Sequence, residues 1–339
     1  MKLLVLGGTK FLGRHVVEAG LARGDEVTIF NRGQFNPELY PEVEKLRGDR
    51  DGGLEVLRGR RWDAVLDTSG YVPRVVRASA ELLADAVDLY VFISSMSVYA
   101  DFRQPNDEDS PTATLADESA EERTGETYGP LKALCERAAE AALPGRVLNV
   151  RAGLIVGPYD PTGRFTYWTE RVARGGEVLA PAPRERQIQF VDARDLSEWM
   201  LRMIDARRAG VFNAAGPDYK LTMKGFLEAC RDACETDARF TWVDEQFLLD
   251  KGVEPWGNLP LWLPESAEEH RYFFAENCAR AFAAGLTFRP VADTARDTLA
   301  WQRAGSPGLD TDAPNSVQAH TLKPEREREL LDEWRARKS

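Results

Sequence analysis

The chain has 339 residues, of which 43% are hydrophobic, and its formal net charge at pH 7 is −11. A chain of this length can bury a substantial core, as one large domain or as two closely joined ones. The acidic balance argues against broad binding to a phosphate backbone, although a local basic patch could still bind nucleic acid.

Neither a targeting signal nor a membrane-spanning segment is expected from the sequence. The N-terminal apolar run, MKLLVLGG, ends at glycines after six residues and lacks the apolar core and cleavage site of a signal peptide. No later stretch approaches the roughly 18 apolar residues of a transmembrane helix. We therefore expect a cytoplasmic protein with no membrane partner. Cys230 and Cys234 lie one helical turn apart, but no His or second Cys pair is near them in sequence, so no metal site is expected.

Short apolar runs alternate with amphipathic stretches over the first 150 residues. KLLVLGG predicts a buried strand, residues 11–23 a helix and EVTIF a second strand. Further strands are predicted at WDAVLDTS, DLYVFISS and RVLNVRAG, with the helical pattern VVRASAELLADAV between the first two. Nearly continuous apolar strands separated by helices are typical of a parallel sheet covered on both faces. The predicted fold class is α/β, a doubly wound Rossmann sheet with its ligand at the carboxyl ends of the strands.

The character of the sequence changes after Arg151, where Pro, Gly and Trp become frequent and regular alternation is lost. This change predicts a smaller, irregular C-terminal substrate domain. At the end of the chain a charged helix is predicted, with Leu330, Leu331 and Trp334 on one side of it. The predicted boundaries are residues 1–155 for the dinucleotide-binding domain, completed by elements near 186–215, residues 156–185 and 216–303 for the substrate domain, and residues 304–339 for a polar linker and the terminal helix.

A glycine-rich turn joins the first predicted strand to the first predicted helix. Gly7 permits a tight turn there, and Gly13 permits close packing of the helix against the sheet. The amides at the start of the helix would hold a pyrophosphate, helped by the helix dipole. The sequence therefore predicts a dinucleotide site. Its candidate residues in this segment are Gly7, Thr9, Lys10, Phe11, Leu12 and Gly13.

A tyrosine and a lysine one helical turn apart are the candidate proton-transfer pair. In ETYGPLKALCE, Tyr128 precedes Lys132 by four residues, so both side chains project from the same face of a helix. A lysine beside a tyrosine favours the phenolate, which makes the phenol a usable proton donor and acceptor near neutral pH. Such a pair can occur by chance, so its value as evidence for a catalytic site depends on the surrounding motifs.

Together these motifs resemble the extended short-chain dehydrogenases/reductases, the NAD-dependent epimerase/dehydratase family, over about residues 1–300. GGTKFLG, with Lys10 in place of the middle glycine, is similar to an atypical subgroup that includes the chloroplast stem-loop-binding proteins. VFISSMSVYAD resembles the family's Ser-Ser-x-x-Val-Tyr segment, which implies that Ser95 carries the catalytic hydroxyl. Tyr128, Gly129 and Lys132 match Tyr-Gly-x-x-Lys. The resemblance implies that Tyr128 donates the proton, that Ser95 holds the substrate oxygen, and that Lys132 lowers the pKa of Tyr128 and binds the nicotinamide ribose.

The end of the second strand, FNRG, bears on the choice of cofactor. NAD-binding proteins carry an acidic residue here for the ribose 2′-hydroxyl, whereas Asn31 is uncharged and Arg32 can pair with a 2′-phosphate through its fork of donors. Lys10 stands where NADP-using members of the superfamily often carry a basic residue, and Asp49 matches the family's acidic residue beside the adenine. NADP is therefore the expected cofactor, and NAD stays open.

Departures from the family pattern narrow the reaction. Dehydratases of this family follow the catalytic hydroxyl with Asp-Glu, but Met96 and Ser97 follow Ser95, so dehydration is not expected. Nucleotide-sugar epimerases typically carry Asn at the position of Leu154, and their later Arg has only an uncertain match in Arg186. We expect carbonyl reduction, or the reverse alcohol oxidation, by hydride transfer. The alternatives are a nucleotide-sugar epimerase and, in another class, a non-catalytic dinucleotide-sensing or RNA-binding protein.

A substrate pocket walled by aromatic residues is expected, and it would suit a hydrophobic or ring-containing ketone. Its candidates are Tyr71, Tyr159, Phe165, Trp168, Gln189, Trp256 and Trp262. Ordinary core packing is the alternative for each of them. The expected partner is a small-molecule substrate, and nucleic acid is not expected. The resemblance also suggests a homodimer through the helix of Tyr128. Because the charged residues Glu136 and Glu140 lie on that helix, the oligomeric state stays open.

Overall fold

The computed structural model describes residues 1–309 and 320–338. It divides the chain into two compact units. Unit 1 consists of Met1–Ile155, Phe190–Gly216 and Glu276–Phe288, and unit 2 of Val156–Gln189, Pro217–Ala275 and Arg289–Ser339. Residues 310–319 of the predicted linker lie outside the described residues. The assignment of a substrate-binding role to the second region stays a prediction.

Eleven strands and ten helices are present in the described residues. In chain order they are β1 (Lys2–Leu6), α1 (Phe11–Ala22), β2 (Glu26–Asn31), β3 (Glu44–Arg47), β4 (Trp62–Asp67), α2 (Pro73–Leu83), β5 (Val87–Ser95), α3 (Tyr128–Ala142), β6 (Val147–Ala152), β7 (Ile155–Val156), α4 (Arg164–Ala173), β8 (Glu177–Pro181), β9 (Val191–Asp192), α5 (Ala193–Asp205), β10 (Gly210–Ala214), α6 (Met223–Cys234), β11 (Arg239–Val243), α7 (Glu245–Asp250), α8 (Ala279–Ala283), α9 (Val291–Arg303) and α10 (Pro324–Lys338). Short 3₁₀ turns lie at Glu55–Leu57, Met96–Val98 and Glu268–His270.

Seven parallel strands form the sheet of unit 1, in the order β10-β6-β5-β4-β1-β2-β3. The predicted doubly wound α/β fold is therefore confirmed. Chain order reverses between β1 and β4, and such a switch point opens a crevice at the carboxyl ends of the strands. There Leu6 lies opposite Phe30 on one side and Asp67 on the other. The short edge strand β3 was not among the predicted strands.

Alternate residues of the strands point to opposite faces of this sheet, and each face has its own apolar core. On one face Leu3 and Val5 pack with residues of α1 and α5, including Trp199. On the other face Leu4 and Leu6 pack with residues of α2 and α3. Because both faces of the sheet are buried, its strands appear in the sequence as continuous apolar runs.

Unit 2 combines packed helices with a two-stranded parallel sheet. Helix α6 packs against α4 and α9, and β8 pairs with β11. The predicted apolar stripe of α10, Leu330, Leu331 and Trp334, is buried within the chain. The Trp334 ring centroid lies 5.0 Å from that of Phe247. The terminal helix therefore docks on its own chain, in unit 2.

A buried carboxylate fixes α10 to β8. Glu327 is almost fully shielded from solvent, and its Oε2 accepts a hydrogen bond from Nε of Arg171 at 2.6 Å. Its Oε1 accepts from the backbone N–H of Leu179 in β8 at 2.9 Å. In the part of the chain that the structure describes, β8 pairs with β11 and with no other strand. Glu327 therefore accepts from an N–H on the unpaired edge of β8.

Candidate active site

The turn between β1 and α1 can be built only with glycine. Gly7 has a φ of +119°, and a Cβ on it would lie 2.5 Å from Oγ1 of Thr68. A Cβ on Gly13 would lie 2.7 Å from the backbone nitrogen of Gly8, so α1 approaches the turn more closely than a side chain allows. No side chain caps the first turn of α1. The first amides of the helix thus have no side-chain cap and follow two glycines without side chains, Gly7 and Gly8, an arrangement that fits a pyrophosphate.

Asn31, at the end of β2, holds this turn in place through side-chain hydrogen bonds. Its Nδ2 donates to the carbonyl of Gly7 at 2.8 Å, and its Oδ1 accepts from the N–H of Gly33 at 2.8 Å. The guanidinium of Arg47, the last residue of β3, also donates to Asn31 Oδ1. The uncharged residue predicted at this position is therefore a structural element of the glycine turn.

Two arginines lie at the carboxyl ends of β2 and β3. Arg32 is 62% exposed, and its Nη1 lies 3.9 Å from Oδ2 of the half-exposed Asp49, a loose ion pair. The exposed Arg47 was not among the predicted site residues, because its strand, EKLR, has no apolar pattern. The ammonium of Lys10 lies 4.1 Å from the Phe35 ring centroid. Thr9 and Leu12 are buried in the same segment, and Phe11 has a positive φ of 28°.

Ser95 is the last residue of β5 and stands opposite Ala152 in the sheet. Its Oγ accepts a hydrogen bond from the N–H of Ser97 at 3.1 Å, which shapes the 3₁₀ turn that follows. Ser95 is half-buried, whereas the preceding Ser94 is almost fully buried. Of these two neighbouring hydroxyls, that of Ser95 is the more accessible at the carboxyl edge of the sheet.

Helix α3 begins at the half-buried Tyr128 and lies directly against the turn after Ser95. A Cβ on Gly129 would lie 1.9 Å from the carbonyl oxygen of Ser97. Any residue other than glycine would push the helix away from this turn. The backbone contact of Gly129 with Ser97 therefore brings the first turn of α3 to the end of β5.

Lys132, one turn along α3, is 3% exposed. Its Nζ donates to the carbonyl of Gly70 at 2.6 Å and to the carbonyl of Ile93 at 2.5 Å. It also lies 4.2 Å from the Phe92 ring centroid. Burial lowers the pKa of Lys132 to about 8. The ammonium thus ties the loop after β4 to the end of β5, and its predicted influence on Tyr128 stays a prediction.

A buried polar network at the end of β4 is a second feature that the sequence analysis missed. Asp67 is fully buried and pairs with Arg50 through two hydrogen bonds, of 2.5 and 2.7 Å. The hydroxyl of Tyr90 donates to Asp67 at 2.8 Å, and Arg50 donates to Oγ of Ser79 at 2.7 Å. Burial opposes the ionisation of Asp67, but Arg50 lowers the pKa of this carboxyl below its ordinary value.

The pocket candidates fall into different environments. Tyr71, after β4, is 39% exposed and belongs to unit 1. The others belong to unit 2, where Phe165, Trp168 and Trp262 are fully buried core residues. Gln189 is also buried, Tyr159 packs against Trp301 at 5.7 Å, and Trp256 stacks on Phe274 at 6.0 Å. Core packing therefore accounts for the three fully buried aromatics in this structure.

Comparison with known proteins shows which family part of the chain resembles. Residues 62–215 match the model of the NAD dependent epimerase/dehydratase family. This segment, less than half of the chain, is similar to that family. The matched segment includes Ser95, Tyr128 and Lys132, and the family resemblance predicted from the sequence is confirmed. No described helix is long and apolar enough to cross a membrane.

One curated relative is the 41 kDa chloroplast stem-loop binding protein b of Arabidopsis thaliana. It is 25% identical to this chain over 255 residues, which cover 68% of this chain and 63% of the relative. The chain therefore spans less than two thirds of the length of this relative.

Solved structures resemble this chain over most of its length. UDP-N-acetylglucosamine 4-epimerase from Bacillus cereus has a TM-score of 0.63 at 17% identity, covering 89% of this chain and 99% of that chain. Bordetella bronchiseptica WbmG, in complex with NAD and UDP, has a TM-score of 0.64 at 17% identity, covering 91% and 96%. A human epimerase family protein with NADPH has a TM-score of 0.59 at 19% identity, covering 88% and 99%. At these identities the likeness establishes the shared fold.

Proposed function

We propose that this chain is a nicotinamide-dinucleotide-dependent enzyme that reduces a carbonyl group, or oxidises the corresponding alcohol, with Tyr128 as general acid and base. The observation that carries the proposal is the contact of Gly129 with the Ser97 carbonyl. It joins the turn after Ser95 to the first turn of α3, the helix that carries Tyr128 and Lys132. This contact supports the assignment of the three side chains to one site.

The glycine turn is the binding site in this proposal. Gly7 and Gly13 leave room for a pyrophosphate beside the first amides of α1. A bound nicotinamide dinucleotide supplies the hydride chemistry that protein side chains lack. The chain's own residues supply binding, orientation and proton transfer.

Proton transfer is assigned to the tyrosine. In the reducing direction the substrate oxygen gains a proton, which the phenol of Tyr128 donates, and the hydroxyl of Ser95 holds that oxygen by a hydrogen bond. The positive charge of Lys132 favours the phenolate that remains. Because Lys132 bonds the carbonyls of Gly70 and Ile93, it also keeps the ends of β4 and β5 in fixed relation.

NADP is the cofactor that we propose, with NAD as the alternative. Asn31 places no carboxylate at the end of β2, and its amide is engaged with the glycine turn and with Arg47. The guanidinium groups of Arg32 and Arg47, together with the ammonium of Lys10, can pair with a 2′-phosphate. The complexes of similar structures leave both cofactors open, since the Bordetella protein has NAD bound and the human protein has NADPH.

A nucleotide-sugar epimerase is the second candidate, which the family match and the Bacillus cereus epimerase favour. An epimerase would use the same tyrosine and hydride chemistry but return the hydride to the same substrate. We place the epimerase second because this chain has Leu154 at the position where nucleotide-sugar epimerases typically carry Asn. The stem-loop-binding relative motivates a third candidate, non-catalytic RNA binding, which the net charge of −11 disfavours. We further propose a cytoplasmic protein with no membrane partner, and homodimer formation stays open.

The test combines cofactor titration with one substitution. Fluorescence titration with NADPH and NADH measures binding, and a panel of carbonyl compounds and UDP-sugars measures turnover and product identity. Tyr128→Phe is expected to lower turnover by about 10²–10⁴-fold, because the proton donor is lost, while the Kd for the dinucleotide changes less than twofold. Equal turnover in wild type and Tyr128→Phe would refute the assignment. Dinucleotide binding without turnover on any compound would favour the non-catalytic candidate.

A further inference from the structure

The ring of Tyr71 lies near two cationic groups, one of which belongs to the catalytic candidate Lys132. Tyr71 follows the carboxyl end of β4, and its ring centroid lies 5.1 Å from the ammonium of Lys132. The guanidinium carbon of Arg123 lies 4.6 Å from the same centroid. Arg123 is exposed, and it precedes Tyr128 by five residues in the chain. A guanidinium at this distance stacks favourably on a phenol ring, which restricts its position.

The loop that carries Arg123 is held in place by its neighbours. Glu121 forms two hydrogen bonds with Arg74 of α2, of 2.8 and 3.2 Å, and Arg74 also binds Asp51. On the other side of Arg123, the hydroxyl of Thr127 accepts from the N–H of Thr124 at 2.8 Å. Both flanks of Arg123 are thus fixed relative to α2 and to the start of α3.

The acidic residues around Arg123 do not neutralise it. Glu121 is engaged with Arg74, and Glu118 with Arg137 at 2.9 Å. Glu122 and Glu126 are exposed. Within the described ranges, 1–309 and 320–338, Arg123 forms no ion pair with any carboxylate. Its five N–H donors are arranged for two parallel bonds to a carboxylate or phosphate.

We propose that the guanidinium of Arg123, which lies over the Tyr71 ring, binds an anionic group of the substrate. The proposal rests on the proposed function, since it supposes that the substrate's reacting carbonyl lies near Ser95 and Tyr128. It narrows the substrate class to carbonyl or alcohol compounds that carry a carboxylate or a phosphate. Tyr71 acts in it as a positioning residue, because its ring holds the guanidinium.

Three matched probes test the proposal by binding. They are 4-acetylbenzoate, its neutral methyl ester and 4-acetylphenyl phosphate, each titrated calorimetrically into the full chain with NADP⁺ present. The wild type is expected to bind at least one anionic probe about tenfold more tightly than the ester, as a charge-assisted bidentate contact predicts. A preference for the carboxylate or for the phosphate identifies the anion.

Four variants locate the source of this preference. Arg123→Gln and Tyr71→Leu are expected to abolish the preference for the anionic probes. The first removes the guanidinium, and the second removes the aromatic ring over which the guanidinium lies. Tyr71→Phe keeps the ring and should retain the preference. Arg77→Gln, which removes another exposed arginine of unit 1, is the matched control and should also retain it.

The proposal is overturned if the wild type binds the ester as tightly as both anions, or if Arg123→Gln preserves the preference. NADPH-dependent reduction of the same ketones is measured in parallel. If no ketone is reduced but the anion preference depends on Arg123, the proposed reductase activity fails and the anion site stands. If reduction occurs without an anion preference, the anion site fails and the proposed function stands.

Discussion

Replacing Gly129 by alanine perturbs the contact on which the candidate active site depends. The new Cβ would lie 1.9 Å from the carbonyl oxygen of Ser97, whereas Cβ contacts closer than 3.0 Å essentially do not occur. The start of α3 or the turn after Ser95 must therefore move by about 1 Å, the difference between these distances. Both partners are backbone, so no side-chain rotation can relieve the clash.

The displacement should affect catalysis more than folding. Overpacking of this kind costs about 1–3 kcal/mol of unfolding free energy, and a misplacement of about 1 Å at reacting groups can cost about 10²-fold in rate. Affinity for the dinucleotide should change little, because the glycine turn is held by Asn31. Urea unfolding, turnover of a reduced ketone and NADPH titration measure the three quantities.

Gly125→Ala is the matched control for this substitution. Gly125 lies four residues before Gly129, and a Cβ added to it has no atom within 4 Å. Its replacement should leave stability within about 0.5 kcal/mol and turnover unchanged. If Gly129→Ala matches the wild type in stability and turnover, then α3 does not depend on this contact and our account of the site is wrong.

Three further predictions concern Lys132, the Asp67–Arg50 pair and Arg47. Because burial lowers the pKa of Lys132 to about 8, the unfolded chain binds more protons than the folded chain between pH 8 and about 10.5. Unfolding free energy of the wild type, measured relative to Lys132→Met, should therefore rise with pH through that window. Asp67→Ala leaves a buried guanidinium without its carboxylate and should lower the unfolding free energy in urea by about 3–5 kcal/mol. Arg47→Ala should weaken NADPH binding about tenfold in fluorescence titration and leave NADH binding nearly unchanged.

Each of these predictions has its own control. Lys2→Met removes an exposed lysine and is the control for the substitution itself. If the difference in unfolding free energy between the wild type and Lys132→Met stays flat across this pH window, the lowered pKa of Lys132 is contradicted. Replacing both Arg50 and Asp67 by leucine should recover stability relative to Asp67→Ala, and no recovery would count against a charge effect. Arg60→Ala removes an exposed arginine that pairs with β3; an equal loss of NADPH affinity there would exclude a specific role for Arg47.

Local patterns were sufficient to predict the sheet and the elements that carry the candidate residues. The apolar runs ending at Leu6 and Ser95 are strands because both of their faces are buried, and this burial leaves a continuous apolar signature. The helix that carries Tyr128 and Lys132 and the tight turn at Gly7 also follow from local chemistry. The catalytic and cofactor-contact roles of these residues stay predictions.

Long-range polar contacts could not be predicted from the sequence. The strand β3, EKLR, is a short edge strand rich in charge and has no apolar pattern, so Arg47 was assigned no role. The bonds of Arg50 to Asp67 join residues 17 positions apart and leave no periodic signal. Burial of Trp168 likewise depends on tertiary packing, since its indole N–H donates to the distant Pro260 carbonyl at 2.6 Å.

The docking of α10 has a consequence for the behaviour of a shortened chain. Without Glu327, the N–H of Leu179 would lose its acceptor, on a strand whose outer edge pairs with no other strand among the described residues. Such an open edge is a template on which a second chain can add a strand. The terminal helix therefore serves as protection against self-association through β8, independently of any part it plays in chemistry.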